Sequence, residues 1–291
     1  MNEMTNVLIT GGGGFISREL CSRLDKYNVV VLDRKELDCA SPIAVQTYFE
    51  NNEVDVVLHC AAVGAKSGAD KKDPSVLLKN IQMFENIVAH RDKFSLMINF
   101  GSGAEFDTSA DVFEEDNSHN VPQDSYGLSK FLIKERISAI NDNVVNLRLF
   151  GCFGPLEQET RFIKTAIRCH IAGKEMFIDS YRYMDFFYVG DLASTVRSYI
   201  NSVKGDWFKI LPKDMSLVYS KKESMASIIS MVERAGASLG ISGDISADIS
   251  ADISADLGKT YLGCSKKIDS AGFSFVGLER GIYETYKEII K

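Results

Sequence analysis

The sequence has no run of apolar residues approaching the ~18 that a membrane span requires, no C-x-x-C pair, and no surplus of positive charge. Each absence removes a class of function. Without the apolar run, no membrane-embedded segment is expected. Six cysteines stand scattered as Cys21, Cys39, Cys60, Cys152, Cys169 and Cys264. That spacing reads as reduced, packed thiols rather than a zinc site or a disulfide framework, so no metal is expected. With 33 Lys and Arg against 40 Asp and Glu, the net charge is −7, which opposes nucleic-acid binding, a function that usually shows as a basic stripe. The opening Met1-Asn2-Glu3-Met4-Thr5 lacks the basic and apolar regions of a signal peptide, and the expectation is a cytoplasmic protein.

What is present is enough apolar material for a full core: 291 residues, 45% hydrophobic and 25% charged, in one large domain or two modest ones. Apolar strand-like runs at 5–10, 28–33, 54–60, 94–101 and 144–149 alternate with helical patterns at 14–25, 42–51, 74–91 and 125–141. Such alternation predicts a parallel sheet with helices on both faces and a ligand at the C-terminal ends of the strands.

The first strand leads into Thr10-Gly11-Gly12-Gly13-Gly14-Phe15-Ile16-Ser17. Glycines in such a turn let the backbone approach a pyrophosphate, and the free N–H groups of the next helix favour its negative charge. A glycine run alone is a weak signal. The order strand, turn, helix strengthens it, as does a second strand run, Val29-Val30-Val31-Leu32, ending in Asp33 about 20 residues on, where an acid can bind a ribose.

A second chemical signal is Tyr126-Gly127-Leu128-Ser129-Lys130. Residues four apart share a helix face, so phenol and ammonium can point into one pocket, where the cation is expected to lower the phenol's pKa. The spacing is common on solvated helix faces. Here it follows by ~25 residues a strand ending in Gly101-Ser102-Gly103, whose hydroxyl can bond the same substrate oxygen.

From residue 5 to at least 212 these segments resemble the extended short-chain dehydrogenase/reductases of the NAD-dependent epimerase/dehydratase family that act on nucleotide sugars. The resemblance is carried by the T-G-x-x-G-F-I turn, His59-Cys60-Ala61-Ala62, Ser102 and Y-x-x-x-K. It continues through Arg148-Leu149-Phe150-Gly151-Cys152-Phe153-Gly154-Pro155 and Met184-Asp185-Phe186-Phe187-Tyr188-Val189-Gly190-Asp191-Leu192-Ala193. It implies an α/β, Rossmann-type doubly wound sheet over 1–155, binding NAD or NADP. A smaller substrate lobe over 156–291 would return a strand to the sheet near 184–190, and the chain would form a homodimer.

The resemblance also implies roles. Tyr126 would exchange a proton with the sugar oxygen, Ser102 would hydrogen-bond it, and Lys130 would hold the nicotinamide ribose. Gly11, Gly13 and Gly14, with Phe15 and Ile16, would cradle the pyrophosphate, and Asp33 would take the adenosine ribose. Asp38 is placed like the family's adenine-binding aspartate; Cys60, Ala61 and Ala62 would line the cofactor, with Asn80 bracing the strand beside them. Asp33 favours NAD and Arg34 with Lys35 favours NADP; the balance leans to NAD, and both are kept.

Departures from the family narrow the reaction. Ser17 replaces the third glycine, a small enough residue for helix and strand to stay close. Dehydratases carry Asp-Glu where this chain has Gly103-Ala104, which disfavours elimination of water. The dual epimerase-reductases resembling fucose synthase place a cysteine at Ala104. What remains is reduction of a keto group, at C4, of a nucleotide-diphosphate deoxysugar. A 4-epimerase and a non-catalytic NAD(P)-binding regulator are the alternatives. On the substrate side Met184 stands where the family's phosphate-binding arginine is usual, so Arg182, Arg161 and Lys164 are the candidate cations, with Gly103 beside the sugar.

One segment lies outside the resemblance: Ile241 to Leu257, where Ile-Ser-Gly-Asp precedes three copies of Ile-Ser-Ala-Asp. Extended, it puts Ile and Ala on one face and Ser and Asp on the other. As a helix, its isoleucines drift by ~40° per repeat. It lacks the glycine turn and closing glutamate of an EF-hand loop and reads as a duplicated peripheral insertion.

Overall fold

The computed structural model describes residues 4–65, 71–109, 111–114, 120–140, 142–178, 182–203, 210–243, 245, 247–249 and 260–291. Strands β1 (Asn6–Thr10), β2 (Asn28–Leu32), β3 (Val56–His59), β4 (Leu96–Ser102), β6 (Val144–Leu149) and β10 (Asp214–Leu217) form one parallel sheet in the order β10-β6-β4-β3-β1-β2. The order reverses direction between β1 and β3, and that switch point opens a crevice at their C-terminal ends.

Period-two alternation along the strands supplies two cores. Val7, Ile9, Val56, Leu58, Ile98 and Leu147 face one side, together with helices α1 (Phe15–Cys21), α5 (Phe162–Ala172), α6 (Val189–Ser202), α7 (Met225–Ser238) and α9 (Leu278–Ile289). Leu8, Val57, Met97 and Val144 face the other, under α2 (Pro42–Asn51), α3 (Pro74–Val88) and α4 (Ser125–Ile140). Helix starts follow local chemistry: Ser41 and Asp73 accept backbone N–H bonds ahead of Pro42 and Pro74, a proline position whose missing N–H costs nothing. Among the described residues no helix is long and apolar enough to cross a membrane.

The strand returning to the sheet is not near 184–190. Phe187–Tyr188 (β9) pairs with Cys152–Phe153 (β7), outside the main sheet, and the sixth strand is β10 beside β6. Its sequence Asp-Met-Ser-Leu carries too few apolar residues to read as a central strand. It pairs with β6 along its length and buries Met215 and Leu217 in the core, and Asp214 accepts from Asn146 and Arg148 of β6 at 2.9 and 2.8 Å.

Two short parallel pairs complete the smaller lobe. Val112–Phe113 (β5) pairs with Tyr261–Leu262 (β12), and Met176–Ile178 (β8) pairs with Ala247–Ile249 (β11). The second pair shows part of the Ile-Ser-Ala-Asp repeat as an extended strand; its residues 250–257 lie outside the described residues. A last short helix, α8 (Lys266–Ser270), connects β12 toward α9.

Candidate active site

At the switch point the glycine turn is held by close backbone contacts. Gly11 has φ +71°, and a Cβ there would come within 2.8 Å of the Ala61 backbone, so only glycine lets β1 and the segment after β3 approach. Gly14 N–H bonds to the Gly11 carbonyl at 2.9 Å and Gly14 opens α1 with no side-chain cap. The first-turn N–H groups of α1 are therefore left for a ligand at the lip of the crevice, a fit for a pyrophosphate. Ser17, where a third glycine was expected, is fully buried and its hydroxyl lies 2.7 Å from the Gly11 carbonyl and 3.0 Å from that of Gly14. It ties the turn together rather than merely fitting into it.

The crevice continues as a cleft of about 540 Å³ lined by Gly14, Phe15, Ile16, Cys60, Ala62, Ser102, Tyr126 and Lys130. The three candidate catalytic residues thus meet in one cavity with the glycine turn. Tyr126 is buried, and burial pushes its phenol up to about 12 against the lowering effect of a hydrogen bond with Ser102. That reverses the expected depression by Lys130. The lysine is itself buried, gives its ammonium to the Phe100 carbonyl at 2.8 Å, and lies 6.0 Å from the centre of the Tyr126 ring. Burial outweighs the effects that lower it, and the Tyr126 phenol stays protonated at neutral pH.

Ser102 is fixed by charge buried behind it. Its N–H bonds to Glu105 at 2.9 Å, and its own hydroxyl accepts from Ala104 N–H at 3.2 Å, a capping box around a short helical turn. Glu105 is locked by Arg148 at 2.7 Å, which also reaches Asp214, Ser216 and Glu114 at 2.8, 3.0 and 3.1 Å. A fully buried arginine shared by three carboxylates is stable only because each partner is satisfied. No sequence motif marked Glu105, Glu114 or Arg148 for this work.

On the substrate side Arg161 and Arg182 both line the cleft, joined by Lys71, which lies 5.7 Å from the Tyr126 ring centre. Arg182 Nε is buried with no hydrogen-bond partner among the described residues. Arg161 is held by Glu157 at 3.1 Å, and burial pushes the Glu157 carboxyl up to about 7. Lys164 is spent elsewhere, on the Pro155 carbonyl and on Glu159 at 3.4 Å. Asn80 is buried with its amide bonded to both backbone groups of Val63 and to Ser129, a brace for the wall that does not itself line the cleft. Gly103 lies against the rings of Tyr261 and Phe150.

Asp33, Arg34 and Asp38 gather past the end of β2. Asp33 accepts from Lys35 and Glu36 N–H at 2.7 and 3.2 Å, Asp38 accepts from Ala40 N–H at 3.1 Å, and the side chain of Arg34 is 77% exposed, 3.8 Å from Asp38. Cys60 and Cys152 have thiols pushed up by burial, which suits packing and not nucleophilic chemistry.

A model of the NAD dependent epimerase/dehydratase family matches residues 7–210. Over 197 residues the chain is 25% identical to the Bacillus subtilis spore coat polysaccharide biosynthesis protein SpsK, covering 66% of this chain and 69% of that protein. It superimposes on a GDP-mannoheptose C4 reductase from Campylobacter jejuni with NADP bound at a TM-score of 0.79, with 19% identity over 100% of both chains. For a dTDP-4-dehydrorhamnose reductase from Clostridium acetobutylicum the TM-score is 0.76, with 19% identity over 99% of this chain and 100% of that one. These likenesses extend the shared fold through the C-terminal lobe.

Proposed function

The chain belongs to the NAD dependent epimerase/dehydratase family, and on that premise we propose that it reduces a keto group, at C4, of a nucleotide-diphosphate deoxysugar with NADPH or NADH. The observation that carries this reading is the convergence of Ser102, Tyr126 and Lys130 on one cleft with the uncapped glycine turn. The two reductases similar in fold, a GDP-mannoheptose C4 reductase and a dTDP-4-dehydrorhamnose reductase, agree with it.

A bound dihydronicotinamide supplies the hydride. Tyr126, protonated at neutral pH, gives its phenolic proton to the sugar oxygen as negative charge develops there, and Ser102 donates a hydrogen bond to the same atom. Lys130, pinned to the Phe100 carbonyl, keeps a positive charge behind the phenol as it turns to phenolate. Arg161, Arg182 and Lys71 supply the charge for a diphosphate, and the unpartnered Arg182 Nε offers a donor. Gly103 and Ala104 provide neither acid nor base for dehydration. Asp33 suits the ribose hydroxyls of NAD, and exposed Arg34 suits the 2′-phosphate of NADP, so both cofactors belong to the proposal. A homodimer through α3 and α4 is part of the same reading, since Leu78 and Leu132 are exposed there.

The test is to mix the protein with each reduced cofactor and a panel of 4-keto-6-deoxy nucleotide sugars. Stoichiometric loss of nicotinamide absorbance with one sugar supports reduction. Interconversion of sugars without net cofactor change moves the assignment to a 4-epimerase, and cofactor binding with no turnover moves it to a non-catalytic regulator. Tyr126→Phe should cut turnover by about 10²–10⁴-fold with cofactor affinity unchanged; retained turnover removes the phenol from its role.

A further inference from the structure

The loop between β7 and α5 puts a carboxylate into the wall of the cleft. Glu157 lines the cavity that holds Ser102 and Tyr126, and it is only 7% exposed. Two helices and its own turn fix its place. Glu19 of α1, fully buried, takes the Leu156 N–H at 2.8 Å, and Arg18 of the same helix donates to the Leu156 carbonyl at 3.3 Å. Lys164 of α5 holds the Pro155 carbonyl, and the Glu157 N–H closes a turn on the Gly154 carbonyl at 3.1 Å. A loop pinned at three successive residues keeps its acid in one place.

The two carboxylate oxygens differ. Oε1 accepts from Arg161 Nε at 3.1 Å, whereas Oε2 has no hydrogen-bond partner among the described residues and is not sealed off from the cleft. Water can serve such an atom in an open cleft, but a ligand that displaces the water has to bring a donor of its own. Charge narrows what that donor is. A phosphate oxygen has no proton to give and would meet the carboxylate with like charge, so a diphosphate goes to the terminal nitrogens of Arg161 and to the unpartnered Nε of Arg182. A hydroxyl, by contrast, gives a carboxylate a short, charge-assisted bond. Ser102 and Tyr126 share this cavity with Glu157, so the part of the ligand beside the diphosphate here is the sugar.

Resting on the reductase reading above, we propose that Glu157 is a specificity-determining residue: its Oε2 accepts a hydrogen bond from a ring hydroxyl of the nucleotide-diphosphate sugar, while Oε1 holds Arg161 for the diphosphate. A sugar that lacks the hydroxyl leaves a desolvated carboxylate unpaired and is rejected. The titratable and charged groups around Glu157 are Arg161 and Lys164 of α5, Glu19 of α1 and the Cys152 thiol of β7. Burial pushes the Glu157 carboxyl up to about 7. The ionised, accepting form is therefore gained as pH rises through neutrality, and affinity for the sugar rises with it.

The test compares wild type with Glu157→Gln, which keeps the shape, and Glu157→Asp, which keeps the charge but withdraws it by one methylene. Calorimetric titration of the NADP-loaded protein uses the panel of 4-keto-6-deoxy nucleotide sugars and the matching nucleoside diphosphates, which carry no sugar. Both variants should bind the preferred nucleotide sugar about tenfold more weakly, the size of one lost hydrogen bond to a charged group, with affinity for the bare diphosphate and for NADPH unchanged. In turnover the loss falls on KM with kcat nearly unchanged, and the acid limb near pH 7 in the wild-type kcat/KM profile is absent from Glu157→Gln. Wild-type affinity for the nucleotide sugar in Glu157→Gln overturns the proposal. So does an equal loss for sugars and bare diphosphates, which would make Glu157 a brace for Arg161 and nothing more. If no sugar in the panel is turned over, the reductase reading fails separately. The titrations with NADP bound need no turnover and still decide: a loss confined to nucleotide sugars supports the role, and any other pattern overturns it.

Discussion

The turn between β1 and α1 works through its backbone, whereas the wall around Ser102 works through side chains brought from far along the chain. In the first, Gly11, Gly14 and Ser17 hold one another within a span of six residues. In the second, Ser102 depends on Glu105, which is held through Arg148 in a cluster with Glu114, with partners 43 and 150 residues apart in sequence. The glycine-turn end of the crevice is locally encoded; the Ser102 end is assembled.

The strongest way to break this contrast is Arg148→Met. It removes the cation and leaves Glu105, Glu114 and Asp214 buried or partly buried without their partner, which should cost about 3–5 kcal/mol in denaturant unfolding. A loss below about 1 kcal/mol would mean that the wall does not depend on this cluster. Gly11→Ala attacks the opposite end. The positive φ and the 2.8 Å approach to Ala61 predict about 1–3 kcal/mol of destabilisation together with weaker NADPH binding by fluorescence titration, while Ser102 and its partners stay in place.

The smallest effect sharpens the comparison by pH. Glu157 has its carboxyl raised from 4.5 to about 7 by burial beside Arg161, so the folded protein holds its proton more tightly than the unfolded chain. Its stabilising contribution is complete below about 4.5 and is lost as pH rises through about 7. Glu157→Gln has no such titration. The stability of wild type relative to this variant should therefore fall by about 1–2 kcal/mol between pH 4.5 and 7.5, read from melting curves across that range, and parallel curves would contradict the assignment.

How much of this was legible follows from distance along the chain. The alternating strands and helices, the glycine turn and the Tyr126–Lys130 spacing are local patterns, and the structure places them close to where periodicity predicts. β10 was missed because its buried Met215 and Leu217 alternate with Asp214 and Ser216 over only four residues, too short a pattern to stand out. Tyr261 of the cleft wall was missed because nothing around it forms a motif. The one signal that pointed there was the glycine at position 103, which reads as a missing acid until the phenol above it is seen.

By itself the sequence determined that a parallel sheet would form, where the glycine turn would open its crevice, and which phenol and lysine share a helix face. These depend on side-chain period and on backbone freedom within a few residues. Only the tertiary structure decided that burial pushes the Tyr126 phenol up to about 12, and the company Ser102 keeps. Burial and long-range hydrogen bonds arise when distant segments exclude water together, and no local stretch of chain carries that information.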